Sequence, residues 1–267
     1  MELARNGEVA LAYDRTGPRD AETVVFVEGL GYGRWMWQFQ RDPLSRDYDT
    51  IVFDNRGTGD SDAPAGPYTI AEMAGDLDAV LDHAGVDAAH VVGASMGGMI
   101  AQRYALDYDR ALSLSLLCTS PGGEDAVPTP PETQEFMFDV PDDADEREAI
   151  RYKMTPALSD GFADEHTDLV ERIVDWRLES DAPEDARNAQ AAAVAGFDAS
   201  DELDSLDVPA VVLHGTADRV LPVENAELLH ELLPDSRLEL FEDGPHLFFV
   251  ERADDVTDRL QTFLADV

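Results

Sequence analysis

The feature that most constrains the fold is a serine held between two glycines, at a point where a strand is expected to turn into a helix. An apolar run ends at Gly93, Ser95 follows two residues later, and a helical pattern extends over residues 96–108. A G-x-S-x-G turn needs its glycines because the chain turns too sharply for side chains two residues either side of the serine. The pattern therefore predicts an exposed serine at a strand end, with the N–H of Met96 among the free donors of a helix N-terminus.

Strand and helix patterns alternate through most of the 267 residues, which predicts an α/β fold with a mostly parallel central sheet flanked by helices. An Asn-Gly pair between two short alternating segments in residues 2–13 predicts an opening β-hairpin. The other predicted strands are residues 23–27, 50–53, the run ending at Gly93, 112–118, 208–214 and 237–241. The predicted flanking helices are residues 68–84, 96–108, 223–233 and 250–264. The pair Thr69 and Glu72 fits a capping box for the first of these helices.

The alternation stops between Glu124 and Ser200, where only helical patterns occur. They cover residues 132–138, 144–154, 163–180 and 183–197. Ligand sites in open α/β folds lie at the carboxyl ends of the strands, which an insertion between two strands can cover. We therefore predict that residues 1–123 and 201–267 form the core and residues 124–200 a helical cap. Five large apolar residues of this region could form either the cap interior or the pocket wall: Phe136, Met137, Phe138, Trp176 and Phe197.

The charge balance is strongly acidic, with 57 Asp and Glu against 19 Lys and Arg and a formal net charge of −38. Such an excess repels nucleic acid and anionic membranes, which argues against both as partners. The acids are dispersed and 44% of residues are hydrophobic, so we expect a folded protein with an acidic shell. The composition, in which Lys153 is the only lysine, resembles that of proteins from salt-accumulating archaea; an ordinary acidic enzyme is the alternative.

The N-terminal sequence, the length of the apolar runs and the cysteine content bear on the cellular location of the protein. The N-terminus shows no basic region followed by an apolar stretch, so no secretory signal is recognised and a cytoplasmic location is expected. No apolar run reaches the roughly 18 residues of a membrane span. Cys118, the single cysteine, rules out an internal disulfide and is expected to be a small buried residue.

Several residues that could bind ligands are given structural roles instead. The glycine-containing loop of residues 54–62 lacks the spacing of a phosphate-binding loop, and Arg56 in it is expected to tie the loop ends together. The acids of residues 139–146 do not match a calcium loop and are expected to be solvated. Four histidines are expected at the surface or at helix ends: His83, His90, His166 and His230. No metal-ligand cluster and no cofactor motif are recognised.

A serine becomes nucleophilic only when a base removes its proton, and a third group must hold that base in the right tautomer. Asp218 directly follows one late strand and His246 follows the next, so both should lie at the same sheet edge as Ser95. The chain order serine, acid, histidine is that of α/β-hydrolases. Asp125 is a possible replacement acid, and His214 is expected to be structural.

With these residues in place, the chain resembles the α/β-hydrolase family over nearly its whole length. The motifs that carry the resemblance are Glu28-Gly29-Leu30-Gly31, Asp54-Asn55-Arg56-Gly57-Thr58-Gly59, Gly93-Ala94-Ser95-Met96-Gly97, His214-Gly215-Thr216-Ala217-Asp218 and Gly244-Pro245-His246. Within the family it is similar to small capped serine esterases and lactonases, including the 3-oxoadipate enol-lactonase and cofactor-free haloperoxidase groups.

The resemblance implies a cofactor-independent hydrolase acting on a small-molecule ester or lactone through a Ser95–His246–Asp218 triad. The backbone N–H groups of Leu30 and Met96 would bind the oxyanion. Perhydrolase, thioesterase or C–C hydrolase activity with the same triad stays open, as does a ligand-binding protein with little turnover.

One position departs from the family, which commonly has histidine where this chain has Glu28. A carboxylate beside the oxyanion loop would oppose the developing negative charge. We therefore expect Glu28 to turn away from the cavity, to pair with Arg34 or Arg56, or to be protonated.

Overall fold

The computed structural model describes residues 1–138, 140–141 and 143–267. Eight strands form one sheet in the order β1-β2-β4-β3-β5-β6-β7-β8. The strands are β1 Glu2–Asn6, β2 Val9–Thr16, β3 Thr23–Val27, β4 Asp49–Phe53, β5 Ala89–Ala94, β6 Ala111–Leu117, β7 Ala210–Gly215 and β8 Ser236–Phe241. β2 pairs antiparallel with β1 and β4, and all later pairings are parallel. The predicted hairpin and mostly parallel sheet are confirmed.

The α-helices lie on both sides of this sheet and between β6 and β7. They are α1 Gln38–Leu44, α2 Ile70–Ala84, α3 Met96–Asp107, α4 Pro131–Phe138, α5 Glu146–Met154, α6 Phe162–Glu165, α7 Thr167–Ser180, α8 Glu184–Ala195, α9 Glu224–Leu232, α10 Phe248–Glu251 and α11 Ala253–Leu264. A 3₁₀ turn over Arg34–Trp37 precedes α1.

The central strands are buried along their whole length because helices cover both faces of the sheet. All five residues of β3 are buried, and its four apolar residues alternate between two hydrophobic clusters. Val25 and Val27 pack with residues of α2, α3 and α9, whereas Val24 and Phe26 pack with residues of α1 and α11. This is the continuous apolar pattern of a parallel strand covered on both sides.

Helix α2 begins and ends where the sequence predicts a capping box and a glycine stop. Thr69 Oγ1 accepts a hydrogen bond from the N–H of Glu72, and the Glu72 carboxylate accepts one from the N–H of Thr69. The helix ends at Gly85 in the left-handed conformation, with φ 67°. Both signals act locally, which is why the sequence alone predicts them.

Two predicted helices are interrupted in the structure. The pattern over residues 163–180 breaks at His166, which separates α6 from α7, and that over residues 250–264 breaks at Arg252, which separates α10 from α11. Both residues have φ −120°, outside the helical region. The apolar spacing continues through each break, so the pattern gave no sign of it.

His90 was expected at the surface or at a helix end, and that prediction is wrong. It lies buried in β5, where its Nδ1 is 2.8 Å from Ser113 Oγ on β6. Cys118 is buried as expected, directly after β6.

Helices α4 to α8 occupy the interval between β6 and β7. The two ends of this interval lie side by side, because Gly122 pairs with Asp198 and the N–H of Ala199 donates to the carbonyl of Pro121 at 2.9 Å. The acids Asp139 and Asp142, predicted to be solvated, lie outside the described residues. Among the helices that the structure describes, none has the length and apolar character needed to cross a membrane.

Candidate active site

Ser95 is the single residue between β5 and α3. Its backbone conformation is strained, with φ 54° and ψ −119°. A Cβ added at Gly93 would collide with the carbonyl oxygen of Gly97, and one added at Gly97 would collide with that of Val27. The two glycines are therefore required by close backbone packing on both sides of the serine. The turn holds the half-buried Ser95 side chain at the carboxyl end of the sheet.

Asp218 follows β7 and His246 follows β8, and the structure brings the two side chains together. Asp218 Oδ2 lies 2.7 Å from His246 Nδ1. The other carboxylate oxygen, Oδ1, accepts hydrogen bonds from the N–H groups of Val220 at 2.7 Å and Leu221 at 2.9 Å. The backbone thus fixes the carboxylate so that one oxygen is left for the imidazole.

The surroundings of Asp218 favour its charged form. Burial by itself would raise the pKa of this carboxyl, but the charge of His246 and hydrogen bonds from His214 and His246 hold the pKa below its usual range. His214, at the end of β7, places its Nε2 3.2 Å from Asp218 Oδ2. Asp125, the alternative acid, is exposed and makes no contact with His246 among the described residues.

Ser95 and His246 line the same cavity, whose volume is about 70 Å³. Within the described part of the chain, no hydrogen bond joins Ser95 Oγ to His246. Such bonds are often long in unliganded enzymes and tighten when substrate binds. The cavity therefore brings the nucleophile candidate and the base candidate to one space, with Asp218 behind the imidazole.

The loop after β3 flanks the serine. A Cβ built on Gly29 would lie 3.6 Å from Ser95 Cβ, which measures how closely the loop approaches. The N–H groups of Leu30 and Met96 donate to no group among the described residues. The loop after β3 and the start of α3 therefore each offer a free backbone donor, which is the kind of group that an oxyanion site requires.

Residues of the helical insertion hold this loop in place. Gln190 of α8 accepts from the N–H of Gly31 at 2.8 Å and donates to the carbonyl of Arg56 at 2.9 Å. The N–H of Ala182 donates to the Gly31 carbonyl at 3.0 Å. Gln190 is fully buried, so it joins two core loops to α8 in a region without competing water.

Arg56 is a structural residue, as predicted, but the partner differs from the one expected. Its guanidinium binds the Asp76 carboxylate of α2, with Nε 2.6 Å from Oδ2 and Nη2 2.9 Å from Oδ1. The arginine therefore ties its loop to a helix rather than to the other end of the loop. Both side chains are buried, and the bidentate geometry satisfies both charges.

Glu28 does not pair with Arg34 or Arg56 among the described residues. It is fully buried, does not line the cavity, and has one neighbour that donates to it, Asn55 Nδ2, at 3.3 Å from Oε2. Burial raises the pKa of Glu28 well above its ordinary value, and the charge of Asp54 raises it further. Of the three expected solutions, the structure supports a carboxyl group that lies outside the cavity lining, in surroundings that favour its protonated form.

The apolar residues of the insertion take structural positions. Trp176 stacks on Trp35 with 5.3 Å between ring centroids, and Phe136 packs on Tyr152 at 4.8 Å. Phe197 lies in the buried core cluster. None of these three lines the cavity described above. The side chains of Met137 and Phe138 lie outside the described residues.

Sequence reasoning missed three cations in the cavity wall: Lys153 of α5, Arg177 of α7 and Arg187 of α8. A signal was present, because Lys153 is the only lysine of a chain with net charge −38. No spacing rule linked the three residues, however, since they lie on separate helices.

No group of three or more histidine, cysteine or acidic side chains able to hold a metal ion occurs within residues 1–138, 140–141 and 143–267.

Comparison with known proteins gives matches along nearly the whole chain. The sequence profile described as alpha/beta hydrolase fold matches residues 22–253. The 3-oxoadipate enol-lactonase 2 of Acinetobacter baylyi is 27% identical over 245 residues, covering 92% of this chain and 89% of that protein.

Solved structures also match nearly the whole chain. The enol-lactonase from Burkholderia xenovorans superposes with a TM-score of 0.85 and 25% identity, covering 99% of this chain and 100% of that one. A thermophilic esterase from Thermogutta terrifontis, solved with malate bound, gives a TM-score of 0.82 and 30% identity, covering 100% and 98%.

Proposed function

The chain belongs to the α/β-hydrolase family, and we propose that it is a serine hydrolase that cleaves a carboxylic ester or lactone through an acyl-enzyme on Ser95. The observation that carries the proposal is the 2.7 Å contact between Asp218 Oδ2 and the Nδ1 of His246, an imidazole that lines the same cavity as Ser95. Nucleophile, base and orienting acid are thus available at one sheet edge, which is the arrangement that acyl transfer needs.

In this mechanism Ser95 Oγ attacks the substrate carbonyl carbon while His246 Nε2 takes the hydroxyl proton. Asp218 holds the imidazole through Nδ1 and stabilises the cation that forms. The N–H groups of Leu30 and Met96 bind the oxyanion of the tetrahedral intermediate. His246 then gives its proton to the leaving oxygen, which departs as an alcohol from an ester and stays attached to the acyl chain of a lactone.

Water completes the cycle. His246 takes a proton from water as the oxygen attacks the acyl carbon, and a second tetrahedral intermediate forms at the same oxyanion site. Its collapse breaks the bond to Ser95 Oγ, which recovers the proton from His246, and the carboxylic acid is released.

We assign residues 124–200 to a cap that covers this edge and residues 1–123 and 201–267 to the catalytic core. The loop contacts of Gln190 and Ala182 support this division, since they join the insertion to the oxyanion loop. The acidic shell supports a cytoplasm of high salt as the working environment.

The experiment is a steady-state screen of small 4-nitrophenyl esters and lactones with the purified protein. The proposal predicts turnover of at least one ester and release of the corresponding acid. Specific ligand binding without hydrolysis of any member of the panel would instead favour a binding protein on a hydrolase scaffold.

A further inference from the structure

The wall of the cavity that holds Ser95 and His246 is apolar along much of its surface but cationic on the side of the insertion. Lys153, Arg177 and Arg187 all line it, together with apolar residues such as Met36 and Val220. The three cations come from α5, α7 and α8, so the folding of the insertion brings their charges together.

Only one of the three cations has an anionic partner within the described part of the chain. Arg177 is buried and binds Asp181, with Nη2 2.7 Å from Oδ2, and its guanidinium lies 4.5 Å from the ring centroid of Tyr32. Lys153 and Arg187, both half-buried, form no ion pair with any described residue.

Neighbouring positive charges disfavour the charged form of both unpaired cations. Burial lowers the pKa of Lys153, and the charges of Arg187 and Arg177 lower it further. The pKa of Arg187 is lowered in the same way, by burial first and then by Arg177. An anion placed between them would relieve both effects, because a partly buried charge is costly until it is paired.

The positive charge of the cavity wall contrasts with the acidic character of the chain as a whole. The chain carries three acidic residues for each basic one, and ion pairs hold many of its arginines. A surface of that sign repels anions, yet the single lysine and an unpaired arginine are directed into the cavity.

Arg187 is also close to the reaction centre. Its Cγ lies 3.9 Å from the position of a Cβ built on Gly31, in the loop whose Gly29 flanks Ser95. Arg187 and Ser95 line the same cavity of about 70 Å³, so a group bound by this arginine shares that space with the serine.

Resting on the proposed function, we propose that the substrate is an ester or lactone that carries a carboxylate, which Arg187 and Lys153 bind while Ser95 attacks the carbonyl. A guanidinium binds a carboxylate through two parallel hydrogen bonds, and the ammonium adds a point charge. The apolar wall accommodates the chain between the carboxylate and the ester.

The test compares two esters of the same length and shape, the 4-nitrophenyl ester of glutaric acid and that of glutaric acid monoamide. The readout is the ratio of their kcat/KM values after subtraction of spontaneous hydrolysis, so a partial loss of folded enzyme cancels. Charged hydrogen bonds of this kind correspond to a preference of about ten- to a hundredfold for the acid ester.

Arg187→Gln should lower that ratio about tenfold, mainly through KM, and Lys153→Gln should lower it less. The matched control is Arg172→Gln, which removes an exposed positive charge from α7 outside the cavity and should leave the ratio unchanged.

A wild-type ratio near one, or a ratio that Arg187→Gln does not change, would overturn the inference while the proposed function survives. Failure to hydrolyse either ester would count against the proposed function itself and remove the basis of the inference. An equal fall in Arg172→Gln would show a general charge effect and contradict a carboxylate site.

Discussion

The strand ends and the helical insertion contribute to the same cavity, but their polar groups are satisfied to different degrees. At the strand ends, Asp218 accepts from the N–H groups of Val220 and Leu221 and contacts the imidazole of His246. On the insertion, Lys153 and Arg187 have no anionic partner among the described residues. Unpaired cations of this kind are expected where a ligand completes the site.

We infer that the strand ends and the insertion have different roles in the reaction. A group that performs chemistry must already be in place, because reorganisation during the reaction raises the barrier. A group that selects a substrate can leave part of its bonding capacity for that substrate. We therefore expect substitutions at the strand ends to lower kcat and substitutions on the insertion to change the preference between substrates.

The largest effect expected is that of Ser95→Ala, which removes the nucleophile. The change should lower kcat on the order of 10⁶-fold, as in other enzymes with this arrangement, because no acyl-enzyme can form. The melting temperature should be nearly unchanged, since the side chain makes few contacts. Substantial hydrolysis by a folded Ser95→Ala enzyme would show that the strand ends do not carry the chemistry.

Asp218→Asn should have the next largest effect, a fall in kcat of roughly 10⁴-fold. The amide keeps the shape of the carboxylate but leaves the imidazole in the wrong tautomer and its cation without a charge partner. Steady-state kinetics on one ester give the value. Asp125→Asn is the matched control; if Asp125→Asn lost activity and Asp218→Asn stayed within tenfold of wild type, the acid would be Asp125.

Gln190→Ala tests whether the insertion also supports the chemistry. It removes the acceptor for the Gly31 N–H and the donor for the Arg56 carbonyl, both in buried surroundings. An unsatisfied buried group costs about 1–3 kcal/mol, so the oxyanion loop should loosen and kcat fall about tenfold.

The control for Gln190→Ala is Gln134→Ala, an exposed glutamine of the same insertion whose side chain donates, within the described part of the chain, to the Thr129 carbonyl alone. It should leave kcat unchanged. If Gln190→Ala also leaves kcat unchanged, the insertion contributes nothing to the chemistry and the oxyanion loop is rigid without the hydrogen bonds of Gln190.

Glu28→Gln should give a smaller effect, visible in stability rather than in rate. The pKa of Glu28 is raised in the folded protein. Its contribution to the free energy of unfolding is therefore fully present below the ordinary pKa of 4.5 and is lost as the pH rises through the raised, folded-state pKa. Glutamine does not titrate. The variant should therefore gain on wild type by up to about 1.4 kcal/mol per pH unit until the folded pKa is reached.

Thermal melts of wild type and Glu28→Gln at fixed salt, from pH 4.5 upward, measure that difference, while kcat/KM should change little because Glu28 does not line the cavity. A difference that stays constant with pH would mean that the carboxyl is not protonated in the folded protein. A large gain in activity would mean that its charge faces the oxyanion site.

Salt should have the smallest effect per residue, since exposed charge pairs are worth about 0–1 kcal/mol each. Screening improves as the Debye length falls from about 10 Å at 0.1 M to about 3 Å at 1 M salt, so repulsion within the acidic shell weakens. The melting temperature should rise steeply with KCl. An unchanged melting temperature would contradict a cytoplasm of high salt as the working environment.

The positions of Ser95, Asp218 and His246 could be predicted because each lies in the segment that follows a parallel strand, and parallel strands end at one edge of the sheet. Their meeting depended only on local patterns and on a general property of the fold. The capping box of Thr69 and Glu72 was predictable for the same reason.

The cations of the cavity could not be predicted, because Lys153, Arg177 and Arg187 meet only when three separate helices pack together. The raised pKa of Glu28 likewise results from burial, and the residues that bury this side chain come from distant parts of the sequence. The break at His166 lies within an unbroken apolar spacing, so periodicity could not reveal it.

The proposed mechanism depends most on Ser95 being an activated nucleophile, and covalent labelling by a fluorophosphonate tests this directly. Intact-mass analysis and peptide mapping should show a single rapid adduct on Ser95, and an ester substrate should slow its formation by competition. His246→Ala should label far more slowly, because the serine proton then has no acceptor. A folded protein that stays unlabelled, or that is labelled elsewhere while Ser95 is unmodified, would contradict the proposed mechanism.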